Sequence, residues 1–202
     1  MTIQHQLFNT FDSAYKERAP WDIDHPQQAI RDLVQAGQIE GTILDAGCGT
    51  GEHVLYFAQQ GYDVWGVDIS PLAITIAQEK AVSRGLHATF QVADALALPE
   101  LARTFDTVID SGLLHNFSDE ERSLFIKGLK SVLKPGGTFF LLCFSEQLPH
   151  GFGPRGITQA EMYSSFTQED GWHVNSIEKS SFELTISEHK QPAWIASITY
   201  RG

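Results

Sequence analysis

Basic residues are scarce in this chain: 14 Lys and Arg stand against 25 Asp and Glu over 202 residues, a formal charge of −11. A surface built for nucleic acid draws its affinity from cations that neutralise phosphates, so a nucleic-acid substrate is disfavoured. Cysteine is rarer still. Cys48 and Cys143 are the only two; they form no CxxC pair and each sits in an apparent element or glycine loop, which argues against a disulfide framework and against a zinc site. Long apolar runs are missing as well. The purest, FFLLCF, is far shorter than the roughly 20 residues that span a bilayer, and the opening MTIQHQLFNTFDSAYKER lacks the apolar stretch of a secretion signal. The expectation is a cytoplasmic chain with no membrane partner and no metal. Its 42% hydrophobic content suits one α/β domain whose core needs no staples.

What is present centres on residues 43–58, ILDAGCGTGEHVLYFA. Ile43 and Leu44 lead to Asp45; glycines follow at 47, 49 and 51; apolar residues then recur at Val54, Leu55, Phe57 and Ala58. The pattern predicts strand, tight turn and helix, with backbone N–H groups open to a ligand at the turn. Position 52 is Glu52, so the spacing is G-x-G-x-G and departs from the G-x-G-x-x-G of dinucleotide sites. DVWGVD reads as a second strand ending in Asp68, with Ser70 and Pro71 starting the next helix. A carboxylate at Asp68 suits a ribose diol, which NAD shares with other nucleoside cofactors.

The string LDAGCGTGEHVL resembles the first motif of the class I S-adenosylmethionine (SAM)-dependent methyltransferases, and the motifs after it extend the likeness from about Ile43 to the C-terminus. The resemblance implies a single Rossmann-like, doubly wound, mostly parallel seven-stranded sheet with a C-terminal antiparallel hairpin. It also implies SAM as cofactor, S-adenosylhomocysteine (SAH) as product, and a small-molecule methyl acceptor. ATFQVADALAL is expected as a third strand running into Asp94; in the family the acid there accepts from the adenine amino group while the next N–H, on Ala95, donates to the ring. The glycine loop, Asp68 and Asp94 in this order favour SAM over NAD. The cofactor-binding candidates are Trp21, Asp45, Gly47, Cys48, Gly49, Gly51, Asp68, Ile69, Asp94, Ala95, Leu96 and Asp110.

FDTVIDSGLLHNF carries a fourth strand that delivers Asp110, Ser111 and His115 to its carboxyl end, where ligands of open α/β sheets sit. These three are the catalytic candidates, with His115 as the side chain able to act as a base and Asp110 alternatively holding backbone. VIDSG is placed like a tetrapeptide of thiopurine methyltransferase-like proteins that supplies an arginine to the acceptor; Ser111 stands there instead, against a carboxylate-bearing thiopurine. Ser118 with Glu121, and Thr158 with Glu161, read as capping boxes. Strand five is expected over 138–144 after the turn Lys134 to Gly137. The loop 146–156, with His150, Phe152 and Arg155, is read as a wall of the acceptor pocket, and two β-like stretches close the chain.

Residues 1–37 are read as an N-terminal helical lid or cap segment and 38–202 as the methyltransferase domain, one compact domain overall: the segment has an aromatic stretch (Phe8, Phe11, Tyr15, Trp21), then a helix from Pro26 to near Gly37. The stretch is read either as a lid over the ligand or as an anchored terminus, and YKERAPWDIDHPQQAI is similar to the N-terminus of thiol, thiopurine and halide methyltransferase-like proteins. The reading favours a thiol, chalcogen or halide acceptor. An O- or N-methyltransferase using His115 as base, and a nucleoside- or NAD-binding protein without methyl transfer, are the alternatives.

Overall fold

The computed structural model describes residues 11–149, 151 and 153–202. The strands are β1 (Ile43–Ala46), β2 (Val64–Asp68), β3 (Thr89–Val92), β4 (Phe105–Ser111), β5 (Leu133–Phe144), β6 (Trp172–Leu184) and β7 (Ser187–Tyr200). They form one seven-stranded sheet in the order β3-β2-β1-β4-β5-β7-β6. β1 to β5 are parallel to one another, and β7 runs antiparallel to both β5 and β6. This is the doubly wound α/β sheet with an antiparallel end that the resemblance implies.

After the helical residues 11–16 come, among the described residues, α1 (Gln28–Gln35), α2 (Glu52–Gln59), α3 (Pro71–Arg84), α4 (Asp119–Val132) and α5 (Gln159–Ser165). Because strand side chains alternate between faces, Leu44, Val108, Phe139 and Leu141 join one buried cluster with α4 and α5 residues such as Phe125, Leu129 and Met162. Ile43, Ile109 and Phe140 join another with Ile30 of α1, Phe57 of α2 and Ile74 of α3. Covered on both faces, the central strands carry their apolar residues on both sides, as in Val108 and Ile109 of β4, and not on alternate positions alone.

Local chemistry sets the helix ends. Ser70 Oγ accepts from Ala73 N at α3, and Gly85 (φ 64°) closes that helix. Both expected capping boxes are formed, Ser118 with Glu121 at α4 and Thr158 with Glu161 at α5.

Two boundaries differ from expectation. β3 stops at Val92, and Ala95–Leu101 is a 3-10 helix: Asp94 turns its carboxylate onto Leu96 N at 2.8 Å, Pro99 has no N–H to give a ladder, and Leu98 is buried. β5 begins at Leu133, opposite Phe105, bulges through Lys134 to Gly137 and resumes pairing at Thr138 with Thr107. No helix of the described residues is long and apolar enough to cross a membrane.

Candidate active site

The glycine loop leaves β1 and is pinned at once to β2, where Val67 O accepts from both Gly47 N (2.8 Å) and Cys48 N (2.9 Å). At Gly49 (φ +52°) a Cβ would lie 2.8 Å from the Tyr15 hydroxyl, and at Gly51 (φ +87°) it would press on Ala77 and Phe90 at 2.9 Å. Conformation and crowding therefore both require glycine there. Asp68, at the end of β2, braces the loop: its Oδ2 accepts from Gly49 N and its Oδ1 from Ser70 N, each at 2.9 Å. Burial pushes this carboxyl up to about 6 even though both N–H groups favour the ionised form.

A cavity of about 440 Å³ opens in front of the loop, at the carboxyl ends of the parallel strands. Of the cofactor candidates, Trp21, Gly47, Cys48, Gly49, Gly51, Asp68, Ile69, Asp94, Ala95 and Leu96 line it, as do Ser111 and His115. Asp45 and Asp110 stand behind its wall. Asp110 is fully buried and spends both oxygens on the turn that follows β4, accepting from Leu113 N (2.8 Å) and Leu114 N (3.0 Å). It is thus a turn-holding residue and not one that faces the cavity. Burial raises its pKa to about 7.

The roof comes from the N-terminal segment. Residues 11–16 are helical, and Asp12 Oδ1 accepts from Ser70 Oγ (2.8 Å) and Leu72 N (3.2 Å) at the start of α3. Tyr15 is buried over Gly49 and receives the Trp21 indole N–H at 3.1 Å. Asp22 accepts from Thr50 Oγ1, whose oxygen in turn accepts from Lys80 Nζ at 2.7 Å. Phe8 lies outside the described residues.

His115 sits in a short 3-10 turn, Leu114–Asn116. Its Nδ1 accepts the backbone N–H of Phe144 at 3.2 Å, its ring stacks on that of Phe144, and Phe182 meets it edge-on. With Nδ1 as acceptor, the hydrogen of the neutral ring belongs on Nε2. Burial, aided by Arg122, lowers the pKa to about 3, so the ring is uncharged at neutral pH. Among the described residues Ser111 Oγ, buried, has no hydrogen-bond partner.

Some of the wall carries no local sequence signal. Gln27, His53, Phe182 and Leu184 line the cavity, and they meet only through the fold. The Gln27 side chain donates to Glu183 O and accepts from Glu183 N, both at 2.9 Å, bridging the start of α1 to β6. Gln27 N donates to His53 Nε2 (3.1 Å), and His53 Nδ1 faces Asp45 Oδ2 at 3.7 Å, an oxygen with no hydrogen-bond partner among the described residues. From the loop 146–156, Pro154 reaches the cavity, whereas Arg155 pairs with Glu161 and Asp119. His150 and Phe152 lie outside the described residues.

The loop end of the cavity has the features of a nucleoside site: glycines with no room for Cβ and carboxylates at the ends of successive strands. The far end carries the aromatic and apolar side chains Phe117, Leu124, Phe144, Phe182 and Leu184 together with His115, Asn116 and Glu121. Among the described residues no group of three or more His, Cys, Asp or Glu is placed to hold a metal ion.

Residues 43–137 match the model of a methyltransferase domain. The chain is 34% identical, over 85% of its length and 79% of the relative's, to the 2-heptyl-1-hydroxyquinolin-4(1H)-one methyltransferase of Mycobacteroides abscessus. It superposes with a TM-score of 0.88 and 36% identity, covering 96% of this chain and 92% of the other, on a structure concerned with the conversion of a disulfide bond into a thioacetal group during echinomycin biosynthesis. The magnesium protoporphyrin IX methyltransferase of Synechocystis PCC 6803 with bound SAM shares the fold, at 22% identity and a TM-score of 0.74 over 98% of this chain and 97% of that one.

Proposed function

The chain belongs to the class I SAM-dependent methyltransferases, and from that membership we propose that its acceptor is an apolar, ring-bearing small molecule whose attacking atom is nucleophilic before it binds: an acidic heteroaromatic hydroxyl or a thiol. SAM, when bound, supplies a sulfonium methyl that needs no further activation. The Gly47 to Gly51 loop, Asp68, Ile69, Asp94, Ala95 and Leu96 would hold it. Tyr15 and Trp21 cover the loop as a lid and keep water from the site. What remains for the protein is to bring two reactants together in line, a contribution that reaches roughly 7 to 11 kcal/mol in well-oriented systems.

One observation carries this reading: the lone pair of His115 Nδ1 is taken by Phe144 N–H. A general base needs a free lone pair aimed at the proton it removes. With Nδ1 occupied and Nε2 protonated, the imidazole has none, so an aliphatic alcohol or an ammonium group would meet no base at the residue that the sequence offers for the task. An acceptor that ionises by itself has no such need. The aromatic far end suits a flat ring, and a halide would leave it unfilled. A relative named for a hydroxyquinolone and a structural neighbour concerned with disulfide sulfur support the two kinds of attacking atom.

The test is methyl transfer from SAM, followed by mass spectrometry, to hydroxyquinolones and phenols of graded acidity, aryl and alkyl thiols, iodide and primary amines. Transfer should go to the acidic hydroxyls or thiols, with rates that follow each acceptor's own ionisation. Efficient methylation of amines or aliphatic alcohols would overturn the proposal.

A further inference from the structure

Resting on that methyl-transfer reading, we infer that His115 is a specificity-determining hydrogen-bond donor: its Nε2–H binds an oxygen carried by the acceptor beside the attacking atom. The substrate class is thereby narrowed to molecules such as ring carbonyls and N-oxides or enolates, in which an oxygen accompanies the nucleophile.

The geometry leaves this as the open function of the ring. Nδ1 is spent on Phe144 N, and among the described residues Nε2 has no protein partner although His115 lines the cavity. Once a ligand fills the cavity and excludes water, a donor facing it costs free energy unless something on that ligand accepts from it. Its direction is set on every side. The ring lies on Phe144 with centroids 4.5 Å apart and meets Phe182 at 6.1 Å. Gly112 (φ +89°) lets these rings close in, since a Cβ there would fall 2.9 Å from Phe182. Asp110 anchors the turn from behind through Leu113 N and Leu114 N. A side chain so constrained meets a ligand without loss of rotamer freedom, the condition for selective recognition.

Charge selects the ligand. Arg122 of α4 donates to Leu114 O at 3.4 Å and faces Asp119 and Glu161; its positive charge and the burial of the ring both oppose an imidazolium. A ring that stays neutral and donates through Nε2 can satisfy a carbonyl oxygen or an oxyanion. It offers nothing to an ammonium group, which has only hydrogens to give. Discrimination of this kind is large because the wrong ligand leaves a buried donor unpaired.

The experiment uses the full chain labelled with 15N-histidine, in the SAH complex. The signals of His115 are identified by their loss in His115→Phe, which keeps a flat ring on Phe144. The expected spectrum is that of a neutral Nε2–H tautomer from pH 5 to 8, whose Nε2–H proton moves downfield when 1-hydroxyquinolin-2(1H)-one, whose carbonyl adjoins the N-hydroxyl, is added and stays put with quinoline. In turnover, His115→Phe should raise KM for the oxygen-bearing acceptor roughly 10- to 100-fold, and His115→Gln, which keeps a donor, should recover part of it. Aryl thiols without a neighbouring oxygen should be little affected. A His115 that titrates between pH 6 and 7, an Nδ1–H tautomer, no response to the oxygen-bearing ligand, or an equal loss for all acceptors would each overturn the inference. The spectra need no turnover, so they decide the role of His115 even if the acceptor panel rejects the function proposed above.

Discussion

His115 lies flat against Phe144, ring planes 7° apart, while its Nδ1 takes the backbone N–H of that same residue at 3.2 Å. One residue of β5 thus fixes both the face and the tautomer of the only histidine in the loop after β4. The arrangement depends on a neutral ring, because protonation at Nδ1 would set two donors against each other.

This makes a pH prediction. In the folded chain His115 titrates near 3, in the unfolded chain near its ordinary 6.5. Its contribution to stability is complete above the unfolded value and is lost as pH falls from there towards 3. Asp68 and Asp110, raised to about 6 and about 7, act in the opposite sense and add stability as pH falls towards 4, so the parent's profile alone will not isolate the histidine. The difference between parent and His115→Phe will. The variant should gain on the parent by up to about 1.4 kcal/mol per pH unit as pH drops from 6.5 to 4, measured by urea denaturation at a series of pH values. A constant difference would disprove the assignment.

Asp68 should control cofactor affinity. Loss of a charged hydrogen-bond acceptor costs about 1.5 to 3 kcal/mol, so Asp68→Ala should weaken SAM binding roughly 10- to 150-fold. It also frees Gly49 N and Ser70 N, and a lower melting temperature should accompany the loss. Protonation competes with ligand hydroxyls for the same oxygens, so affinity in the parent should fall as pH drops below about 6, and the dependence should vanish in Asp68→Asn. Calorimetry from pH 5 to 8 checks this; unchanged affinity in Asp68→Ala would sink it.

Gln27 bridges Glu183 through both of its amide atoms and is itself buried. Gln27→Ala leaves two backbone groups of β6 unpaired and should destabilise the chain by about 1 to 3 kcal/mol. Gln27→Glu should hurt almost as much, since a carboxylate accepts from Glu183 N but repels Glu183 O. A denaturant midpoint equal to that of the parent in either variant would show that the bridge contributes nothing.

The roof should close more firmly on ligand. If Tyr15, Trp21 and Asp22 form a lid, SAM should slow proteolysis ahead of Pro26, and removal of residues 1–25 should abolish turnover while the sheet still folds. Equal cleavage with and without SAM, or full activity after truncation, would leave the segment as a mere anchor. Thr50→Val, which removes the hydroxyl between Asp22 and Lys80, should speed cleavage in the complex.

Much of the fold was legible locally. G-x-G-x-G after Ile43 and Leu44, Ser70-Pro71 before α3, Gly85 after it, and the Ser118/Glu121 and Thr158/Glu161 boxes are short-range signals, satisfied within a few residues of where they are written. The ends of β3 and β5 were not, because they depend on which strand supplies the partner. β3 ends at Val92 because that residue pairs with Asp68, the last of β2; Phe105 recruits Leu133 to begin β5 early.

For the site, the chain itself determined the loop, the carboxylates at the strand ends and the presence of a histidine after β4, since glycine conformation and strand alternation are properties of neighbouring residues. Only the tertiary structure decided what those groups are free to do. Asp110 turned out to hold a turn because Leu113 N and Leu114 N fold back onto it. Phe182 reaches the cavity because β7 places β6 at the end of the sheet and its far end returns to Gln27. His115 became a donor because Phe144, 29 positions away, presents its N–H where a free lone pair would otherwise have been, and a hydrogen bond between elements so distant in sequence is set by how the strands pack.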